Sequence, residues 1–326
     1  MNKHKGLCFL FAGLLLGGLL GGCFDVKKGN AAQQETSAGL NSGDTKIVRD
    51  ARLKNVELPP YPWHMINLWW QFQDSTANFE RLDLDLTIHE DVPESYNLYI
   101  SPMGIARLNN ISCYGGIQTN INGWSSKESR KREHFGKGII FSRWNIDETK
   151  PIGLDYVDMK PGGMCESAGY EGEFCSVRYP FKWTAGTYTY SIVKDETVQF
   201  KGKPHTWFRC VLTSHKDNST IEAGRLLFEG DRFTFWNANA AFMEIYATAE
   251  LPASDVPTVT VDFAYPRING KKPPLNVASA NYVTEGVAAS PYCADVAVAG
   301  DVISVTVSPV LRKGEPKAFP LALKIQ

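Results

Sequence analysis

Apolar and polar residues alternate over short stretches along most of this chain, and a period of two is the mark of strands with one buried face. In Phe79 to Glu90, Leu82, Leu84, Leu86 and Ile88 fall on one side, and Asp83, Asp85 and Thr87 on the other. Thr187 to Val193 sets Tyr188, Tyr190 and Ile192 against Thr187, Thr189 and Ser191. Ile139 to Trp144 reads as a short apolar strand. Trp207 to Thr213, Arg232 to Trp236, Phe242 to Ala249, Thr258 to Tyr265 and Val302 to Val307 continue the pattern. Turn sequences such as Lys201-Gly202-Lys203-Pro204 and Asn269-Gly270 separate these runs. A turn of helix fits only at Glu222 to Phe228, where Gly224 limits it. The pattern predicts an all-β fold, a β-sandwich or jelly roll. Pro252 and Pro257 mark a linker between a main domain, 51–250, and a smaller piece, 257–326, which is either a C-terminal β module or a set of extra strands on the first sheet.

The N-terminus breaks this pattern. Lys3 and Lys5 precede an apolar run from Leu7 to Leu20, followed by Leu20-Gly21-Gly22-Cys23. A short positive region, an apolar core and small residues before a cleavage point predict an export signal over 1–22. The run is too short to be a comfortable transmembrane helix. The cysteine after the glycines resembles the lipidation site of bacterial lipoproteins, which implies acylation of Cys23 and a firm hold on a bilayer. Residues 23–50, polar and without period, read as a flexible tether. Phe24 rather than Asp after the cysteine implies, by the same resemblance, the outer membrane.

Composition adds little. With Lys3 and Lys5 taken off the 34 basic residues, against 35 acidic ones, the net charge is about −3. The cluster Arg130, Lys131 and Arg132 reads as a solvated loop, and nothing supports nucleic-acid binding. Of seven cysteines, Cys8 leaves with the signal and Cys23 is the lipid site. Export permits disulfides. Cys165 and Cys175 flank a Gly- and Glu-rich loop and are expected to pair. A second bond could join two of Cys113, Cys210 and Cys293, and an odd thiol remains as a small buried hydrophobe.

Candidate chemistry concentrates between Lys160 and Tyr179, where Glu166, Glu171 and Glu173 accompany Tyr170, Arg178 and several glycines. Such a loop suits a calcium ion, sugar hydroxyls or a glycosidase carboxyl pair, Glu171 with Glu173. It equally suits a pinned surface excursion with solvated charges. Trp124, in a polar turn, is the candidate exposed platform for a sugar ring, with a core position as its alternative.

Tyr114-Gly115-Gly116-Ile117-Gln118, Ile139-Ile140-Phe141-Ser142-Arg143-Trp144-Asn145, Gly169-Tyr170-Glu171-Gly172-Glu173 and Trp183-Thr184-Ala185-Gly186-Thr187-Tyr188 follow one another in an order that resembles the DUF3472 family of exported bacterial proteins. Gly115, Arg143 and Asn145 depart from the family's aromatic, apolar and acidic residues. The resemblance implies a concanavalin-like or jelly-roll sandwich and a glycan ligand.

Three functional readings follow. The first is a surface-anchored, non-enzymatic sandwich binding a glycan or other envelope ligand through Trp124, Arg143, Glu171 and Glu173. The second is a glycoside hydrolase or other polysaccharide-cleaving enzyme. The third is a structural or protein-interaction lipoprotein, docking a partner through Pro59-Pro60-Tyr61-Pro62-Trp63.

Overall fold

The computed structural model describes residues 44–247, 253–282, 290–312 and 318–325. The expected export signal, Cys23 and most of the expected tether lie outside them.

The protein is a β-sandwich of two large antiparallel sheets. The larger sheet runs, in spatial order, through Phe319–Leu321, Leu275–Asn281, Trp63–Phe72, Ala238–Ile245, Leu98–Leu108, Ile111–Gln118, Gly138–Trp144, Phe174–Pro180, Met164–Ala168, Asn122–Trp124 and Arg132–His134. The other runs through Ala294–Ala299, Val302–Val307, Val259–Phe263, Arg81–Ile88, Gly186–Phe200, Lys203–Ser214, Thr220–Glu229 and Val157–Met159.

The alternation in the sequence is the physical origin of this arrangement. Leu82, Leu84, Leu86 and Ile88 are each at most 2% exposed, facing the core with Tyr190 and Ile192 of the neighbouring strand. Their polar partners make cross-strand bonds on the far side. Ser191 donates to Asp83 at 2.6 Å, Thr189 donates to Asp85 at 2.6 Å, and the Thr87 and Thr187 hydroxyls lie 2.9 Å apart. Apolar burial and polar cross-strand pairing thus fix the same register. Across the core, Phe141 of the larger sheet stacks on Phe228 of the other, and Tyr190 donates to the Ile140 carbonyl at 2.9 Å. Gly115 makes room for that Tyr190 hydroxyl: a Cβ there would stand 1.9 Å from Oη.

The chain beyond 257 supplies strands to both sheets. Val259–Phe263 pairs with Arg81–Ile88, and Leu275–Asn281 pairs with Trp63–Phe72.

Two expectations change. Glu222 to Phe228 lies within the strand Thr220–Glu229, because pairing with Lys203–Ser214 and Val157–Met159 satisfies its backbone; tertiary pairing outweighs local helical preference. The tether ends earlier than residue 50. Lys46–Leu53 is a helix, capped by Thr45, with Ile47 and Ala51 buried. Asp255 accepts hydrogen bonds from the amides of Lys46 and Ile47 at 2.6 and 3.3 Å, and Asp50 accepts from the Leu311 amide at 2.7 Å. Distant residues therefore satisfy its free first-turn amides, and no local sequence pattern announces them.

The proline segment is engaged within the chain. Tyr61 stacks on Trp63 at 4.0 Å, and Trp63, 3% exposed, donates from Nε1 to the Pro59 carbonyl at 2.8 Å.

Candidate functional site

The outer face of the larger sheet, turned away from the sandwich core, carries a second aromatic cluster. Tyr99, Tyr114, Ile140 and Phe242 are buried there, with Trp144 and Tyr246 packed against them. Parity explains the composition. In Ala238–Ile245, Met243 and Ile245 face the main core, so Phe242 and Glu244 face outward. Glu244 is paired with His64 on one side and Tyr99 on the other, which places all three on this face. His64 and Tyr99 both pack on Phe242, with ring centroids 4.6 and 5.1 Å away.

The hairpin joining Met164–Ala168 to Phe174–Pro180 brings Glu171 to the same face. Tyr114 donates to Glu171 Oε1 at 2.9 Å, and Trp144 Nε1 donates to the Glu171 carbonyl at 2.8 Å. Tyr114 and Trp144 pack against each other at 4.9 Å. Gly172 permits this closure. Its φ is +88°, and a Cβ there would come within 3.0 Å of the Trp144 indole, so glycine meets both demands.

Three carboxyls on this face are in different electrostatic states. Glu166 is fully buried; burial alone would raise its pKa, but the adjacent guanidiniums of Arg178 and Arg132 outweigh that and hold it below the ordinary value. Glu171 is pushed up to about 7, first by burial and then by the negative charge of Glu244, while the Tyr114 hydrogen bond and Arg178 oppose the rise. Glu244 is pushed up to about 7 by burial. Its neighbour His64, 3.8 Å away, is held down to about 4 by burial, so it is neutral near pH 7 and supplies no counter-charge. Both raised carboxyls keep some surface open; Glu244 retains 12% of its side chain. Carboxyls near neutrality on an aromatic surface, beside one held ionised, have the properties of proton donors and acceptors.

The residues singled out from the sequence separate across the sheet. Glu171 belongs to this face. Glu173 lays its carboxylate over Gly169 within the same hairpin, where a Cβ would meet it at 2.5 Å. Of the two positions open for Trp124, the structure takes the core one rather than the exposed platform: it is 8% exposed, because its pairing with Cys165 turns it inward. Arg143 also faces inward, fully buried. It donates to Glu229 at 2.8 Å and to the Leu227 carbonyl, with its guanidinium over Phe228. It stands one residue from Trp144, and strand parity puts the two on opposite faces.

Cys165 and Cys175 do not bond. Cys165 is paired with Val177, and Cys175 with Ser167, so the two cysteines are diagonal rather than opposite. Diagonal neighbours lie about 7–8 Å apart, beyond the reach of a disulfide. Cys113, Cys165, Cys175, Cys210 and Cys293 are all free and buried.

Glu244 was not anticipated. The available signal was an acidic residue inside an apolar alternating strand, flanked at two-residue spacing by Phe242 and Tyr246. Arg132, read as solvated, instead reaches Glu166 and Asn122. Among the described residues, no group of three or more His, Cys, Asp or Glu side chains is arranged to hold a metal ion. No described helix is long and apolar enough to cross a membrane.

No family model matches the chain, and no curated protein does. Among solved structures, it is similar to scytalido-glutamic peptidase with a peptide-based transition state analog, at TM-score 0.36 and 9% identity, over 74% of this chain and 98% of that one. It is also similar to scytalido-glutamic peptidase with a transition state analog inhibitor, at TM-score 0.33 and 11% identity, over the same shares of the two chains. At these values the likeness carries no inference about substrate or mechanism.

Proposed function

We propose that the outer face of the larger sheet binds a cell-envelope polysaccharide and that Glu171 and Glu244 hydrolyse it. The observation that supports this reading is the pair of partly open carboxyls, both raised to about 7, on one aromatic face. A surface that only binds glycans gains little from carboxyls kept near half-protonation, whereas acid–base catalysis works best when the pKa is close to the ambient pH.

Both carboxyls are raised to about 7, so near neutrality each is present in both forms. The one that is protonated donates to the leaving glycosidic oxygen as its bond to carbon breaks, and the one that is ionised takes a proton from the attacking water, whose oxygen bonds to that carbon. Trp144 and Tyr246, the partly open rings of the cluster, offer faces on which sugar rings stack. An acyl anchor at Cys23, as the N-terminal sequence predicts, would hold this chemistry at the envelope.

The test is release of reducing ends from a panel of soluble polysaccharides by the full chain, between pH 4 and 9. A bell-shaped profile that is lost in both Glu171→Gln and Glu244→Gln is expected. Binding without turnover would return the protein to the class of glycan-binding modules. Neither binding nor turnover would sink both.

A further inference from the structure

The face that carries Glu244 continues along the sheet beyond it. In the strand Trp63–Phe72 the register with Ala238–Ile245 shifts between His64 and Ile66, which leaves Met65 as an extra residue. A bulge of this kind changes which residues face outward. Strict alternation from His64 would send Trp70 outward and Trp69 inward. Instead His64 lies opposite Glu244, Asn67 opposite Phe242 and Trp69 opposite Ala240, while Ile66, Leu68 and Trp70 turn into the core. Ala240 is four residues from Glu244 on the same strand, about 13 Å at roughly 3.3 Å per residue.

Trp69 is half-buried, and it packs against neither the main core nor the aromatic cluster of the outer face. The other half-buried tryptophans are engaged. Trp144 donates to the Glu171 carbonyl, and Trp207 and Trp236 lie beneath the guanidiniums of Arg225 and Arg107. Trp69 alone among these four has, within the described residues, no ring, cation or hydrogen-bond partner.

Its surroundings are small and uncharged. Ala240 and Ser279 flank it on the two adjoining strands, and Asn67, Gln71 and Asn281 are its further neighbours on this face. A broad apolar ring beside amides and a hydroxyl, with no charge among them, is complementary to an uncharged sugar residue. The sugar's C–H face stacks on the indole, and its hydroxyls exchange hydrogen bonds with the amides. A compact ligand needs an enclosing pocket to bury most of its surface. An open platform suits an extended chain laid across the sheet, which gains its hold from several such contacts in series.

We propose that Trp69 is a further sugar-binding subsite on the face of Glu171 and Glu244, so that the substrate is a polysaccharide long enough to continue past the scissile bond and over this indole. The assignment rests on the polysaccharide-hydrolase reading above. Trp144 and Tyr246 hold the sugar rings next to the carboxyls, and Trp69 holds one further along the same chain.

The experiment is steady-state cleavage, by the full chain, of soluble xylan, mannan and β-glucan, each compared with a short oligosaccharide of the same polymer. Trp69→Ala is expected to raise KM for the cleaved polymer about tenfold, with kcat and the short-substrate parameters unchanged. Trp69→Phe, which keeps a ring, should recover most of that loss. Trp207→Ala, on the outer face of the other sheet, should leave both substrates unaffected. Because Trp69 packs against neither apolar cluster, the unfolding midpoint of Trp69→Ala should match the parent's, which separates a lost platform from a lost fold. An unchanged polymer KM, or an equal loss on polymer and oligosaccharide, overturns the subsite and leaves the hydrolase reading standing. A parent chain that dimerises in sedimentation, with Trp69→Ala monomeric, gives this face to a second copy and also overturns it. Polymer binding without cleavage, weakened in Trp69→Ala on affinity electrophoresis, supports the subsite and removes the hydrolase reading. No binding or cleavage of any polysaccharide defeats both.

Discussion

Tyr114 donates its phenolic hydrogen to Glu171 Oε1 at 2.9 Å, joining the floor of the larger sheet to the tip of a hairpin 57 residues further along the chain. The bond favours the charged form of Glu171 and so restrains the rise that burial imposes. Tyr114→Phe should therefore raise the Glu171 pKa above about 7 and cost about 1 kcal/mol of stability, the usual worth of one such bond. Carbon-detected NMR titration of the Glu171 carboxyl checks the first part, and urea unfolding the second. A Glu171 pKa that stays put in Tyr114→Phe would show that the hydrogen bond does not tune it.

Much of this architecture was legible in the chain, and the reason is physical. Burial of one strand face forces a period of two, so Leu82 to Ile88 and Tyr188 to Ile192 declared their inward sides. The site was half legible. Glu171 was visible as an acidic residue among glycines. Glu244 was not singled out, because its strand reads as ordinary alternation until its neighbours are known. Composition cannot say which sheet face Arg143 or Trp124 takes. That depends on register with strands far away in sequence, here Cys175 for Arg143 and Cys165 for Trp124.

Glu244 should leave a signature in the pH dependence of stability. Its folded pKa of about 7 lies above the unfolded carboxylate value of 4.5, so the folded state binds more protons between those limits. Stability from this group is therefore lost as pH rises from about 4.5 to about 7. His64 acts in the opposite sense. Its folded pKa of about 4 lies below 6.5, so its contribution is lost as pH falls from 6.5 to about 4. Comparing Glu244→Gln with the parent chain isolates the carboxyl. The variant should gain on the parent by about 1–3 kcal/mol between pH 5 and 8, with the gain confined to that interval. A constant difference across the range would mean that Glu244 titrates normally.

The Glu166 ion pair belongs to a different class. Glu166 is fully buried, and Arg178 is 4% exposed. Glu166→Gln leaves a buried guanidinium without a counter-charge, and breaking a buried pair from one side costs about 3–5 kcal/mol. A Glu166→Gln, Arg178→Met double variant should recover part of that loss. Guanidinium unfolding of the three chains checks it; a single variant as stable as the parent would mean the pair is solvated.

Gly115 tests the packing between the sheets. A Cβ at this position would meet Tyr190 Oη at 1.9 Å and the Ile140 carbonyl at 2.7 Å, and backbone cannot yield as a side-chain end can. Gly115→Ala should cost about 1–3 kcal/mol or more by overpacking. Gly162 is the contrasting position: its φ is +79°, and a methyl there would find nothing within 4 Å, so alanine meets only backbone strain. Adding Tyr190→Phe should relieve part of the Gly115→Ala loss by removing the nearest atom. Thermal unfolding of the single and double variants decides whether that contact carries the cost.

The cysteines give the last prediction, and it turns on strand register. A disulfide between Cys165 and Cys175 would close a short loop and, in the chain-entropy model, add roughly 3 kcal/mol. The register forbids it. Cys165 lies opposite Val177 and Cys175 opposite Ser167, and bonding would require the hairpin to slip by two residues. Such a slip would also carry Ser176 away from Glu166 and Arg178 away from Met164, breaking the pairing that positions the ion pair. With all five described thiols buried, alkylation of native protein should be slow. After unfolding without reductant, Cys113, Cys165, Cys175, Cys210 and Cys293 should each take one label, and reductant should leave the unfolding midpoint of the parent chain unchanged. Peptide mapping by mass reads the labels one by one. A lower midpoint in reductant, with Cys165 and Cys175 missing from the labelled set, would establish the bond and require a different register for the hairpin that carries Glu171.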